Sequence, residues 1–106
     1  MTINSKIEKV KAGERMPYFV FKNGTNIYDQ IISPCFKLLF FGNDKKPYDK
    51  LQHYGFTIET FCFNEIPVTL FDDASNFYIL LRPDNHISYI GNDIEYCNNL
   101  LKKISS

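Results

Sequence analysis

Three cysteines are the residues of this chain best suited to chemistry, because a thiolate is both a nucleophile and a redox centre. A dithiol redox site needs two of them in Cys-x-x-Cys spacing, at a helix N-terminus that lowers the thiol pKa. Cys35, Cys62 and Cys97 stand far apart, and the stretch Gly42–Pro47 after the first buried strand has no cysteine. We interpret all three as small core residues. Cys35, next to a proline at a loop edge, is the one that a single-thiol oxidoreductase would use.

The other polar residues form no recognisable catalytic or metal site. His53 and His86 are the only histidines, and no cluster of cysteines or carboxylates accompanies either of them, so a zinc site lacks both ligand number and spacing. Asp72 and Asp73 are adjacent, so their side chains point in different directions and do not form an acid/base pair. We expect no catalytic residue, no metal site and no cofactor-binding residue in this chain.

Charge and composition exclude several classes of function. Twelve basic and twelve acidic residues cancel without a basic run, so binding to nucleic acid or to an anionic membrane is not expected. No apolar stretch has the length of a signal peptide or a membrane span, and the odd number of cysteines favours reduced thiols. We therefore expect a cytoplasmic protein. Ten phenylalanines and seven tyrosines predict one ordered domain with a core rich in phenyl rings.

A β-turn is the clearest local signal. The tetrapeptide Arg82-Pro83-Asp84-Asn85 separates two apolar runs, Tyr78–Leu81 and Ile87–Ile90. Its proline presets φ, its aspartate can hydrogen-bond nearby backbone, and its asparagine tolerates a left-handed conformation. The pattern predicts a β-hairpin. We expect Arg82 to play a structural role by pairing with Asp84 or Glu59, rather than to bind a ligand.

Periodicity and turn residues predict the remaining elements. The first half is predicted to hold a hairpin over Met16–Phe21 and Thr25–Tyr28, one helical turn over Asp29–Ser33 and a central strand over Phe36–Phe41. A helix over Lys46–Tyr54, a second central strand over Phe56–Phe63 and an irregular segment over Ile66–Asp73 are expected to follow. The terminal helix is expected to be capped by Asn92 and to carry an apolar stripe of Ile94, Cys97, Leu100, Leu101 and Ile104. Residues 1–12 are expected to be a flexible lead and residues 13–106 the domain. A strand–helix–strand crossover followed by a hairpin and a last helix predicts an α/β, thioredoxin-like fold with a central mixed sheet.

Three segments in this order resemble one family. Ala12–Pro17 is similar to a "G-x-R-x-P" motif, Tyr28–Leu39 to "L-x-D-L-x-G-x-x-F-x-L-L", and Tyr78–Ile90 to a "V-L-V-R-P-D-G-x-V-A-W-R" hairpin. All three motifs belong to the C-terminal thioredoxin-like domain of FAD-dependent aromatic-ring hydroxylases of the phenol hydroxylase type. Asn85 stands where that family has glycine, and Tyr89-Ile90 stands where it has Trp-Arg.

The resemblance implies an accessory domain without a redox dithiol. In such enzymes the flavin and the aromatic substrate lie on the preceding domains, and this domain packs against them and contributes to dimerisation. We therefore expect the partner to be a second copy of the chain or a flavin-dependent monooxygenase. The Gly-rich flavin-binding fingerprint is absent from the 106 residues, so the chain is expected to be a free-standing relative or a piece of a longer enzyme.

Two alternatives remain open at this stage. The N-terminal segment also resembles peroxiredoxins, although their Pro-x-x-x-Thr-x-x-Cys loop is missing, so a divergent peroxiredoxin or thioredoxin-like thiol oxidoreductase that uses Cys35 is the second hypothesis. The third is a small-molecule carrier with a pocket inside its phenyl-rich core.

Overall fold

The apolar run Phe36–Phe41 forms the strand around which the sheet is built. The computed structural model describes residues 10–43, 48, 51, 55–67, 71 and 76–105. Its strands are β1 (Phe36–Phe41), β2 (Ile58–Phe63), β3 (Phe77–Leu81) and β4 (Ile87–Gly91). They lie in the order β2-β1-β3-β4. β1 is parallel to β2 and antiparallel to β3, which is antiparallel to β4. The described part is therefore a small α/β domain with a mixed four-stranded sheet.

β1 is central because both of its faces are apolar. Leu39 and Phe41 join one core cluster, while Leu38 and Phe40 join a second cluster on the other side. This confirms the prediction for Phe36–Phe41. The prediction that β2 is a second central strand is wrong, because β2 lies at the edge of the described sheet. Its alternate residues Thr60 and Cys62 are exposed, so its pattern is that of a strand only partly covered by the core.

The hairpin of β3 and β4 forms as the turn residues predict. Asn85 N donates to Arg82 O at 2.8 Å and closes the turn. Asn85 has φ of 66°, the left-handed conformation for which asparagine was expected. The register shifts by one residue between Leu80 and Leu81, as in a hairpin with a bulge beside its turn.

The N-terminal hairpin is only partly confirmed. Its turn forms, since Phe21 N donates to Thr25 O at 2.7 Å. The strand predicted over Met16–Phe21 is wrong, because this segment forms only an isolated β-bridge from Val20 to Asn26. The strand predicted over Thr25–Tyr28 is also wrong, because Ile27–Gln30 forms the short helix α1. Asn26 caps this helix by accepting a hydrogen bond from Asp29 N at 2.9 Å. Local capping therefore outweighs the β-propensity of the β-branched and aromatic residues, and the helical turn begins two residues earlier than predicted.

The terminal helix α2 spans Ile94–Ser105. Asp93, not Asn92, is its cap: Asp93 Oδ1 accepts hydrogen bonds from Glu95 N at 3.0 Å and Tyr96 N at 3.3 Å. The predicted cap is thus wrong by one position. A side-chain oxygen at either position could reach the first turn, and only the start of the helix decides between them.

The apolar stripe of α2 docks on the sheet over part of its length. Cys97 and Leu101 are fully buried, and Ile94 and Leu100 are half-buried. Ile104 is 45% exposed, so its predicted place in the stripe is wrong. The helix continues beyond the sheet surface that covers its first turns.

Substitution of each candidate cap residue of α2 should distinguish Asp93 from Asn92. Asp93→Ala is expected to lower the free energy of unfolding by about 1 kcal/mol, because two N–H groups of the first turn lose their acceptor. Asn92→Ala is the matched control and should change it by less than about 0.5 kcal/mol. Urea denaturation followed by circular dichroism measures both values. Equal losses in the two variants would contradict the assignment of the cap.

Phenyl rings fill one face of the sheet, as the composition predicts. Phe41 lies at the centre of this cluster, with ring centroids 5.2 Å from Phe63, 5.3 Å from Phe77 and 5.5 Å from Phe71. Val10 is also buried in this cluster, at 3% exposure. The division into a flexible lead over residues 1–12 and a domain over 13–106 stays a prediction.

Some predictions fall on residues outside the described ranges. Of the helix predicted over Lys46–Tyr54, only Tyr48 and Leu51 are described; both contact the second cluster, and Leu51 N donates to Tyr48 O at 3.0 Å. Phe71 N donates to Pro67 O, a helical hydrogen bond within the segment expected to be irregular. His53 and the Asp72-Asp73 pair lie outside the description. No helix in the described ranges has the length and apolar character needed to cross a membrane.

Candidate functional site

The three segments that carry the family resemblance meet at one end of the sheet. Gly13 N donates to Ile87 O at 2.7 Å, and Ile87 N donates to Glu14 O at 2.8 Å. Met16 N donates to Asn85 O at 2.9 Å. The N-terminal segment therefore runs beside the start of β4 and holds the hairpin turn through backbone hydrogen bonds. We call this meeting place the junction; it comprises residues 13–16, Ile31, Lys37 and residues 82–87.

A buried lysine lies at the centre of the junction. Lys37 is 0% exposed, and its Nζ donates to Asn85 Oδ1 at 2.8 Å. Asn85 Nδ2 in turn donates to Ile31 O at 3.3 Å. The side chain of Asn85 thus links β1 to the end of α1. In the family motif this position is glycine, which could make neither bond.

The sequence interpretation missed Lys37, because Phe36–Phe41 reads as an almost wholly apolar strand. The available signal was a single lysine at the alternate position that shares a face with Leu39 and Phe41. A lysine inside such a run must either be buried together with a hydrogen-bond acceptor or interrupt the strand.

Burial governs the electrostatics of this amine. Desolvation lowers the pKa of Lys37 below its ordinary value, and the nearby Cys35, Glu59 and Asp84 offset part of that effect. Glu59 lies opposite Lys37 in the β1–β2 register and accepts a hydrogen bond from Ser33 Oγ at 3.1 Å. The protonated form is therefore costly in the folded state. With no exposed surface, the amine is not placed to attack a substrate.

The outer side of the turn carries an exposed charged group of residues. Arg82 Nη2 lies 3.2 Å from Asp84 Oδ2, which confirms one of its two predicted partners, while Glu59 pairs with Ser33 instead. A hydrogen bond from His86 N and the Arg82 charge lower the pKa of Asp84. Both members of the ion pair are about half exposed, so it adds little stability. The structural role expected for Arg82 stays a prediction.

The three cysteines occupy different environments. Cys97 is fully buried, as expected, and burial raises the pKa of its thiol to about 12. The core interpretation is wrong for Cys62, which is exposed on the edge strand β2. Cys35 is half-buried just before β1, close enough to Lys37 to interact with its charge. Any redox role for Cys35 stays a prediction.

Thiol labelling should follow these environments. In the native protein a maleimide is expected to label Cys62 first and Cys35 more slowly, and Cys97 only after unfolding, because a reagent needs an accessible thiolate. Mass spectrometry of tryptic peptides over a time course at pH 7 measures the three rates. Labelling of Cys97 as fast as Cys62 in the folded protein would contradict its burial. The Cys62→Ser variant isolates the slower Cys35 rate.

Backbone and amide groups lie at the end of β1, where the stretch Gly42–Pro47 begins. At the end of β1, Asn43 N donates to Asn76 Oδ1 at 3.1 Å. A Cβ on Gly42 would lie 2.7 Å from Asn76 N, so glycine is needed for this close approach. Within the described ranges, no three His, Cys, Asp or Glu side chains form a group that could hold a metal ion. These contacts can orient a loop, and the two asparagines supply no nucleophile.

A surface groove of about 460 Å³ lies along α2, lined among the described residues by Tyr96, Asn99, Leu100, Lys102 and Lys103. This groove is on the helix surface and not inside the phenyl cluster, where the carrier hypothesis places a pocket. The groove therefore gives that hypothesis no direct support.

Comparison with known proteins gives one consistent likeness. No family profile and no curated protein matches the chain. Its structure is similar to that of the substrate-free rebeccamycin biosynthetic enzyme RebC, with 22% identity and a TM-score of 0.58 over 99% of this chain. RebC soaked with K252c gives 22% identity and a TM-score of 0.58 over 98% of this chain. The chain spans 22% of the RebC chain in both cases. The likeness therefore establishes that this chain shares its fold with about a fifth of RebC.

Proposed function

We propose that this chain is a noncatalytic thioredoxin-like domain, related to the C-terminal domain of FAD-dependent aromatic-ring hydroxylases, that acts by packing against a partner. The partner is a flavin-dependent monooxygenase or a second copy of the chain. In this proposal the protein is cytoplasmic and binds no cofactor of its own.

The sheet topology is the observation that carries the proposal. A parallel pair, β1 and β2, is extended on the other side of β1 by the antiparallel hairpin of β3 and β4, and α2 follows the last strand. This is the arrangement that the thioredoxin-like assignment requires of the part of the domain that begins with β1. The junction adds support, because residues 13–16 and the Arg82–Asn85 turn, two of the resembling segments, are hydrogen-bonded to each other.

The likeness to RebC supports the partner class. The match covers nearly all of this chain and only about a fifth of RebC, as expected for one domain of a larger enzyme. One of the matching structures is of RebC-10x soaked with chromopyrrolic acid, with bound 7-carboxy-K252c. In our proposal, binding and conversion of a substrate belong to the partner, and this chain contributes a surface that packs against it.

A single-thiol oxidoreductase is the second candidate. The observation that favours it is the position of Cys35, which is only half-buried just before β1, so that a reagent can reach its thiol. Against it stands the absence of a second cysteine near Cys35 in the sequence. A Cys35→Ser variant separates the two candidates, since a packing domain retains its function without this thiol.

The packing role is tested by measuring whether the chain associates with itself or with a flavoprotein. Sedimentation velocity over a hundredfold concentration range should show reversible dimers. Alternatively, the immobilised chain should retain a protein with flavin absorbance near 450 nm from a lysate of its own organism. The Cys35→Ser variant should behave like the wild type in both assays. A protein that stays monomeric at every concentration and retains no flavoprotein would contradict the proposal.

A further inference from the structure

The Asn85 side chain fastens the hairpin turn to the interior of the domain. Its Oδ1 accepts a hydrogen bond from Lys37 Nζ at 2.8 Å, and its Nδ2 donates to Ile31 O at 3.3 Å. We call Lys37, Asn85 and Ile31 the clamp. The backbone of the same asparagine also accepts from Met16 N at 2.9 Å. A displacement of this turn would therefore release the N-terminal segment and uncover the lysine together.

We call the observed arrangement the closed state, and an arrangement in which the hairpin turn has moved away from Lys37 the open state. The two states differ chiefly in the hydration of Lys37. In the closed state the amine has no exposed surface. Once the turn moves away, water can solvate it, and an ammonium group gains far more from water than a neutral amine does. The open state therefore binds a proton more tightly than the closed state.

The charges that face the amine come from three other places in the fold. Cys35 lies just before the same strand, Glu59 lies opposite Lys37 on β2, and Asp84 lies on the hairpin turn. All three favour the protonated amine, but their combined effect is smaller than that of burial, so the pKa of Lys37 in the closed state stays below its ordinary value.

We propose that the clamp is a pH-responsive conformational device: proton uptake by Lys37 favours release of the hairpin turn and N-terminal segment, and proton loss favours their closure. The device is independent of the packing role proposed above.

The direction follows from proton linkage. The pKa of Lys37 is lowered in the closed state and returns to its ordinary value near 10.5 when the turn opens. Between these two values the open state holds more protons, so stability rises with pH across that window. Below the closed-state pKa both states are protonated, and the cost of burying the charge is present in full.

Thermal unfolding at a series of pH values from 7 to 10 tests this direction. Relative to Lys37→Met, the melting temperature of the wild type should rise as the pH approaches the ordinary pKa of lysine. The exposed Lys22 provides the matched control, so Lys22→Met should follow the wild type. A wild-type curve parallel to that of Lys37→Met over the whole range would overturn the proposal.

Lysine titration by NMR tests the clamp without relying on the folding of Lys37→Met. With ¹³Cε-labelled lysine, one signal of the wild type should titrate at lower pH than the others. Asn85→Asp keeps the shape of the side chain and places a carboxylate on the amine, so this signal should move to higher pH. If all lysines titrate together near their ordinary value, or if Asn85→Asp leaves the low signal unmoved, the clamp assignment is wrong.

Discussion

Replacement of Phe41 by alanine is expected to lower the free energy of unfolding by about 3–5 kcal/mol. The side chain is 0% exposed and stands at the centre of the phenyl cluster, with four rings near its own. Alanine would remove the apolar contacts and leave a cavity that the surrounding rings cannot close, because two of them are attached to two different strands and two to other segments of the chain. Chemical denaturation followed by tyrosine fluorescence measures the loss.

Phe36 is the matched control for this prediction. It begins the same strand and is only half-buried, and its ring centroid lies 5.3 Å from that of Phe56. Phe36→Ala should therefore cost clearly less than Phe41→Ala. If Phe41→Ala does not fold, Phe41→Leu keeps most of the volume and should cost about 1–1.5 kcal/mol. Equal losses at the two positions would show that the phenyl cluster is not centred on Phe41.

Asn85→Gly is expected to lower the free energy of unfolding by about 2 kcal/mol in the wild-type background, although glycine stands at this turn in the hydroxylase motif that the segment resembles. Glycine relieves the left-handed backbone, but it also leaves the buried Lys37 ammonium without its side-chain acceptor. A hydrogen bond to a charged group is worth about 1.5–3 kcal/mol, which exceeds the backbone gain of up to about 1 kcal/mol.

The same substitution should be nearly neutral once the lysine is gone. In the Lys37→Met background no ammonium remains to be satisfied, and the relief of the left-handed backbone offsets the lost hydrogen bond to Ile31 O, so Asn85→Gly should change the free energy of unfolding by less than about 0.5 kcal/mol. The four proteins form a double-mutant cycle with an expected coupling above about 1 kcal/mol. Additive effects would mean that Lys37 and Asn85 do not act together, whatever their distance.

Local chemistry made much of the fold predictable. The Arg82–Asn85 turn specifies its own hairpin, because three consecutive residues favour the required backbone angles. The apolar run Phe36–Phe41 specifies a strand with two covered faces. In both cases the decisive interactions lie within a few residues of sequence, where propensity and pattern are informative.

Competition between neighbouring signals explains the errors. Asn26 stops a predicted strand by capping a helix, and Asp93 takes the cap position expected of Asn92. The edge position of β2 depends on what packs beside it, which its own alternating pattern does not determine.

The centre of the junction depends on a contact between residues far apart in sequence. Lys37 and Asn85 are separated by 48 positions, and neither one alone signals the other. The turn motif drew attention to Asn85 for its backbone angle alone. Its side-chain role emerges only when β1 and the hairpin are placed side by side. The same holds for Cys62, whose exposure follows from the position of β2 at the edge.

Catalytic turnover separates a packing domain from an oxidoreductase. In the proposed role, the domain carries out no thiol chemistry and works through its surface. Purified chain, supplied with dithiothreitol, should consume hydrogen peroxide and a protein disulfide no faster than a variant with Cys35, Cys62 and Cys97 all replaced by serine. Turnover above that background that disappears in the single variant Cys35→Ser would contradict the account and establish an oxidoreductase.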